Sequence, residues 1–168
     1  MEKFTEIFTI GVGIVLVVSI VLITQAGVLD NATREVIQSS MNDFGNAVVR
    51  EKEITLEAYN KLNEQINAAG VTGYVNLTLE VPDSNYKKKV SMIVKDKAGE
   101  NPTILIPHTE IMKQLNDSGK YKIPTNATFS SDFVRTNESW TQGLTNGLFR
   151  TNGKDSGSTE ASFTSLVP

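Results

Sequence analysis

Hydrophobic positions follow three patterns along this chain. From Ile7 to Val28 they are nearly continuous: IFTIGVGIVLVVSIVLITQAGV contains no Asp, Glu, Lys or Arg. At ~1.5 Å per residue, a helix of that length reaches roughly 30 Å, the hydrocarbon thickness of a bilayer. Val and Ile favour strands in water, but a lone strand in lipid leaves its backbone groups unpaired, so the run predicts a helix. After Val28 the pattern becomes periodic. Val28, Leu29, Ala32, Val36, Ile37, Met41, Phe44 and Val48 recur in steps of one, three or four. They form one stripe of 3.6-residue period, with Asn31, Arg34, Glu35, Gln38, Asn42, Asp43 and Asn46 on the opposite face. No Gly-Pro break separates the two patterns. They predict one rod from about Thr5 to about Arg50, greasy first and amphipathic second. The amphipathic half needs cover, from the rest of its own chain or from a helix of a neighbouring copy.

The third pattern is short and mixed. Glu51-Lys52-Glu53 reads as a charged joint. Thr55 then N-caps a helix with Ala58 or Tyr59, Leu62, Ile66 and Ala69 on one face, ended by Gly70. Tyr74 to Val81 alternates, as does Lys87 to Lys95, with Pro82-Asp83-Ser84-Asn85 between them, which predicts a hairpin. The run Lys87-Lys88-Lys89 reads as a solvated strand edge that resists aggregation. Ala98 to Pro102 reads as a turn, Thr103 to Ile106 as a short strand, and His108 to Leu115 as a brief helix ended near Gly119. Phe129 to Arg135 reads as a strand. Trp140, Leu144 and Leu148 have helical spacing and mark a terminal amphipathic helix or a packed loop. From Thr151 the composition turns to Gly, Ser, Thr and Asn, which predicts a mobile tail. The expected fold is therefore α+β: a long N-terminal helix, hydrophobic then amphipathic, with a small β-rich C-terminal head. The expected divisions are 1–50 for the rod, 51–150 for the head and 151–168 for a flexible tail.

Composition narrows the chemistry. The 168 residues carry 16 Lys and Arg against 19 Asp and Glu, a net charge of −3, so direct nucleic-acid binding is not expected. The absence of cysteine excludes disulfides and thiolate metal sites, and a single histidine, His108, excludes two-histidine sites. His108 itself reads as an exposed loop or cap residue. There is no nucleophile elbow, phosphate-binding Gly loop or metal-ligand cluster. Neither an enzyme, a cofactor nor a small-molecule substrate is expected. Asn-x-Ser/Thr sequons at Asn31, Asn76, Asn116, Asn126 and Asn137 are candidate glycosylation sites, though a chain so rich in these residues produces several by chance. The flank before Ile7 is not basic and the run is longer than a signal-peptide core, so the rod is expected to stay in the mature protein.

Glu6 abuts the apolar run. A carboxylate there is favoured by the helix dipole when exposed, and needs a cationic partner when packed into protein or lipid. Gly11 and Gly13 leave room for a second backbone to approach. An acidic residue, a greasy rod, an amphipathic continuation and a β-rich head together resemble type IV pilins and their pseudopilin relatives. Asn42 to Val81 is also similar to Tad-type pilin-like proteins of Gram-positive bacteria, through Ile54, Thr55, Tyr59, Leu62, Gly73 and Tyr74. The resemblance implies a structural subunit of an extracellular helical filament. Its partners would be other copies of itself, the membrane before assembly, and a pilus assembly machinery. Glu6 would pair with the α-amino group of a neighbour. The family places its acidic residue fifth in the mature chain, whereas Glu6 is sixth from Met1, so Glu2 is the second candidate. The alternative is a non-polymerising, single-pass membrane-anchored component of a secretion or conjugation apparatus.

Overall fold

A computed structural model describes residues 2–82, 103–149 and 159–168. The chain is α+β, as its pattern predicts. Helix α1 runs unbroken from Glu2 to Glu51, 50 residues. It is followed by β1 (Glu53–Thr55), α2 (Leu56–Ala68), β2 (Gly73–Pro82), β3 (Thr103–Ile106), α3 (His108–Ser118), β4 (Lys120–Lys122), β5 (Thr128–Arg135), α4 (Trp140–Phe149) and β6 (Thr159–Leu166). Four strands make an antiparallel sheet in the order β3-β2-β5-β6, and β1 pairs with β4 in a separate two-stranded ribbon.

The second half of α1 is the spine of the head. Ile37, Met41, Phe44 and Val48, spaced to lie on one face, are all buried. They meet the inward residues of the sheet: Val75, Leu77 and Leu79 from β2, Phe129 and Phe133 from β5, and Ala161 from β6. The Phe44 ring stands edge-on to Phe129, with centroids 6.2 Å apart. Gly45 faces the Phe163 ring so closely that a Cβ there would overlap it, which lets β6 lie against the rod. Gly73 is tight in the same way, since a Cβ there would run into the Val134 carbonyl and the Phe133 ring.

Local signals explain the smaller elements. The Thr55 hydroxyl accepts the Ala58 amide at 3.1 Å and caps α2, whose Leu62 and Ile66 enter the core. Gly119 adopts the left-handed conformation, φ 74°, that closes α3. The charged joint is also a reversal: Lys52 has φ 54°, and the chain enters β1, which pairs Ile54 with Tyr121. Neither β1 nor β4 has enough residues to show a period in sequence.

Three expectations are corrected. The predicted mobile tail is wrong for its last ten residues. Thr159–Leu166 is a sheet strand on β5, and Val167 is buried, with its amide bonded to Ala127 and its carbonyl to Asn126, each at 2.8 Å. The backbone ladder to β5 holds this segment, together with the burial of Ala161 and Val167. His108 is not an exposed loop residue. It opens α3 half-buried, and its Nδ1 accepts the Leu77 amide at 3.2 Å. Finally, the expected apolar stripe is not one face: Ile37, Met41, Phe44 and Val48 are buried together, whereas Val28, Leu29 and Val36 lie off that face and remain 59, 51 and 48 % exposed. The expected strand Lys87 to Lys95, the run Lys87-Lys88-Lys89, most of the turn after Pro82 and the turn Ala98 to Pro102 lie outside the described residues. The described neighbours of β2 are β3 and β5.

Candidate functional site

The feature that sets this chain apart is the bare half of α1. It is long and apolar enough to cross a membrane, and no residue of its most apolar stretch is buried against the rest of the chain. Ile7, Phe8, Ile10, Ile14, Val15, Val17 and Ile20 are each 60 to 71 % exposed, so apolar side chains point outward all round the helix. A helix with this surface is stable only where something apolar surrounds it. The three hydroxyl side chains between Ile7 and Val28 are already satisfied. The hydroxyls of Thr9, Ser19 and Thr24 each donate to the carbonyl four residues earlier, at 2.8 Å. Such internal bonding is what a hydrocarbon surrounding demands.

The sequence-predicted assembly residues all lie on this rod. Glu6 is exposed in the second turn. Glu2 begins α1, one turn before it. Gly11 and Gly13 have open space where a Cβ would stand, so their small size answers no packing need within the protomer. Among the sequons, Asn31, Asn116 and Asn126 are exposed. Asn76 is half-buried in β2. Asn137 is occupied structurally: its Oδ1 accepts from the Thr72 amide and Arg135 Nε, and its Nδ2 donates to the Gly70 carbonyl. Glycosylating it would break that junction, so Asn137 is the poorest acceptor of the five.

One important residue was missed by the sequence reading. Asp30, the first charged residue after the apolar run, receives the start of α4. Its Oδ1 accepts the Trp140 amide at 2.9 Å, and its Oδ2 accepts the Thr141 amide at 2.9 Å and the Thr141 hydroxyl at 2.6 Å. Ser139 supplies the local cap by accepting the Gln142 amide. Asp30 thus caps a helix 110 residues away in sequence and places a carboxylate at its positive end. Partial burial pushes the Asp30 carboxyl up, but the bonds from Thr141, Trp140 and Ser139 together outweigh it and hold it below the usual carboxylate range. A depressed carboxyl stabilises the fold above its unfolded pKa, and that contribution is lost as pH falls through the folded value. The attachment of α4 should therefore weaken below about pH 4. Asp30→Ala should cost about 0.5–2 kcal/mol, the usual range for a lost cap, and should speed amide exchange at Trp140 and Thr141 at neutral pH while leaving β2 and β5 protected.

His108 gives a second acid-sensitive contact. Burial lowers its pKa, and only the neutral ring can accept the Leu77 amide at Nδ1. That contribution is present at neutral pH and declines as pH drops below about 6.5.

Among the described residues no group of three or more His, Asp or Glu could hold a metal ion. Two shallow surface depressions are lined by Asn31, Arg34, Glu35 and Gln38, and by residues of α1 and α2 around Phe44 and Leu62. Neither gathers a nucleophile and a base. Comparison with protein-family models, curated proteins and solved structures finds no match for this chain.

Proposed function

We propose that this chain is a pilin-like structural subunit, held in a membrane by its rod and then packed with other copies into an extracellular helical filament. The observation that carries this reading is the first half of α1, apolar all round and largely uncovered by its own chain. Such a surface needs apolar cover on every side, which lipid supplies first and other rods can supply afterwards. The unbroken α1 also joins the bare half rigidly to the head, so every head would stand at a fixed height on the bundle. Gly11 and Gly13, open on all sides, allow close approach of neighbouring rods. Repeated contacts that do not close make a fibre.

Moving the rod from lipid to protein exchanges one apolar surrounding for another, so packing and charge pairing must set the register. Glu6, with Glu2 in reserve, would meet the α-amino group of a neighbour. In electron micrographs of sheared cell-surface material, fibres containing this chain are the expected result. Recovery of the whole population in membranes, with none in fibres, would instead establish the non-polymerising anchor of a secretion or conjugation apparatus. The double change Glu2→Ala with Glu6→Ala should cut fibre yield and length sharply while the head stays folded. Normal fibres from that variant would disprove the pairing role.

A further inference from the structure

Helix α4 leaves two large apolar side chains, Trp140 and Leu148, exposed on the head. At 100° per residue, Gly143, Gly147, Trp140, Leu144 and Leu148 occupy one arc of roughly 140°. Most of this arc faces outward: Trp140 is 56 % and Leu148 46 % exposed, and Gly143 and Gly147 are exposed beside them, while Leu144 is half-buried. Thr141, Gln142, Thr145 and Asn146 lie on the other arc, with Phe149 between them by position, and these four polar residues are half-buried. Thr141 bonds to Asp30, and Thr145 donates to the Thr141 carbonyl. A helix on a water-facing domain turns its large apolar side chains inward. Here Trp140 and Leu148 stay outside while Thr141 and Thr145 are half-buried. The segment WTQGLTNGLF also carries no charge.

Its position gives the reason. Trp140 is tied to Asp30, where the apolar run of α1 ends. The face of α1 that loses exposure next to the head is Ser19, Ile23, Ala26, Gly27 and Asp30, at helical spacing and leading back into the apolar run. With β6 occupying α1 at Gln38 and Gly45, α4 is the element that covers this stretch. It therefore lies beside the last turns of the bare rod, with Trp140 and Leu148 exposed there. Tryptophan is enriched at the headgroup level of bilayers, where an apolar ring and a polar N–H are both accommodated.

We propose that α4 is a second membrane-contacting element, which lays its Trp140–Leu148 face in the interfacial region of a lipid bilayer and sets the depth of the rod. This rests on the reading that α1 spans a membrane. It adds that the head does not hang free of the surface but is seated on it, through Asp30 and the capped start of α4.

Trp140 is the sole tryptophan of the chain and reports its own surroundings. The full chain is reconstituted into phosphatidylcholine vesicles, with and without bromine on the acyl chains, and insertion of α1 is checked by resistance to alkaline carbonate extraction. The expected result is blue-shifted Trp140 emission, most of it lost with bromine near the headgroup, less with bromine near the bilayer centre, and little quenched by aqueous iodide. Leu148→Lys should shift the emission to the red and reduce bromine quenching while the rod stays inserted. An inserted chain whose Trp140 emits as in water and ignores brominated lipid overturns the proposal but leaves the membrane reading intact. Emission that turns blue only as protein concentration rises, with no bromine quenching, assigns the face to a second copy and also overturns it. A chain that never inserts removes both readings.

Discussion

Phe129→Ala lowers the stability of the head by about 3–5 kcal/mol, the range for removing a fully buried phenylalanine. Phe129 has no exposed surface, lies in the central strand β5 and contacts rings on both sides, Phe44 from α1 and Phe163 from β6. Its loss leaves a cavity where the rod, the sheet centre and the C-terminal strand meet, and none of the three can close on it without losing its register. Domains of this kind have a total stability of about 5–15 kcal/mol, so the change removes a large share. Chemical denaturation in detergent, followed by amide exchange of β2 and β5, measures it. The most apolar stretch of α1 should stay helical in that variant, because none of its residues is buried against the head. Phe163→Ala should cost less, since Phe163 is only half-buried and lies on the edge strand.

Arg135→Met is the second large effect. Arg135 closes the end of β5 with its side chain 8 % exposed. Its NH1 donates to Glu160 Oε1 at 3.1 Å, its Nε to Asn137 Oδ1 at 3.1 Å, and its NH2 to the Glu138 carbonyl at 3.1 Å. One side chain thus ties β6, the junction at Gly70 and Thr72, and the segment leading to α4. Methionine keeps much of the volume but strands a partly buried Glu160 carboxylate and the other acceptors. A loss of about 1.5–3 kcal/mol follows, the range for hydrogen bonds to a charged group. Most of that is the penalty for the unpaired partner, so adding Glu160→Met should recover part of it. If the double variant is as unstable as the sum of the single ones, the pair is not coupled. Amide exchange at Trp140 and Thr141 should rise in Arg135→Met, because the Glu138 anchor sits just before them.

The long helix was legible in the sequence because its two signals are strong and local. A charge-free stretch from Ile7 to Val28 can satisfy its backbone in an apolar surrounding only as a helix, and a 3.6-residue stripe then continues it without a breaker. Thr55, Leu62 and Ile66 identified α2, and the alternation of Val75, Leu77 and Leu79 identified β2, since each pattern matches one period and one buried face. The α+β class followed from these. Glu6, Gly11 and Gly13 were legible as candidates by their place on the rod, but their partners lie beyond a single chain.

Only the tertiary structure decided the rest, and the reason is non-local pairing. The strand Thr159–Leu166 looks like tail because Ala161 and Phe163 are nearly its only apolar side chains, yet β5 offers it a full ladder of backbone partners. Asp30 looks like an ordinary boundary charge until α4 arrives to be capped, and the outward turn of Trp140 and Leu148 appears only once Thr141 is fastened to it. Periodicity shows that a helix has two faces. Which of them meets the protein is set by what the chain folds against it.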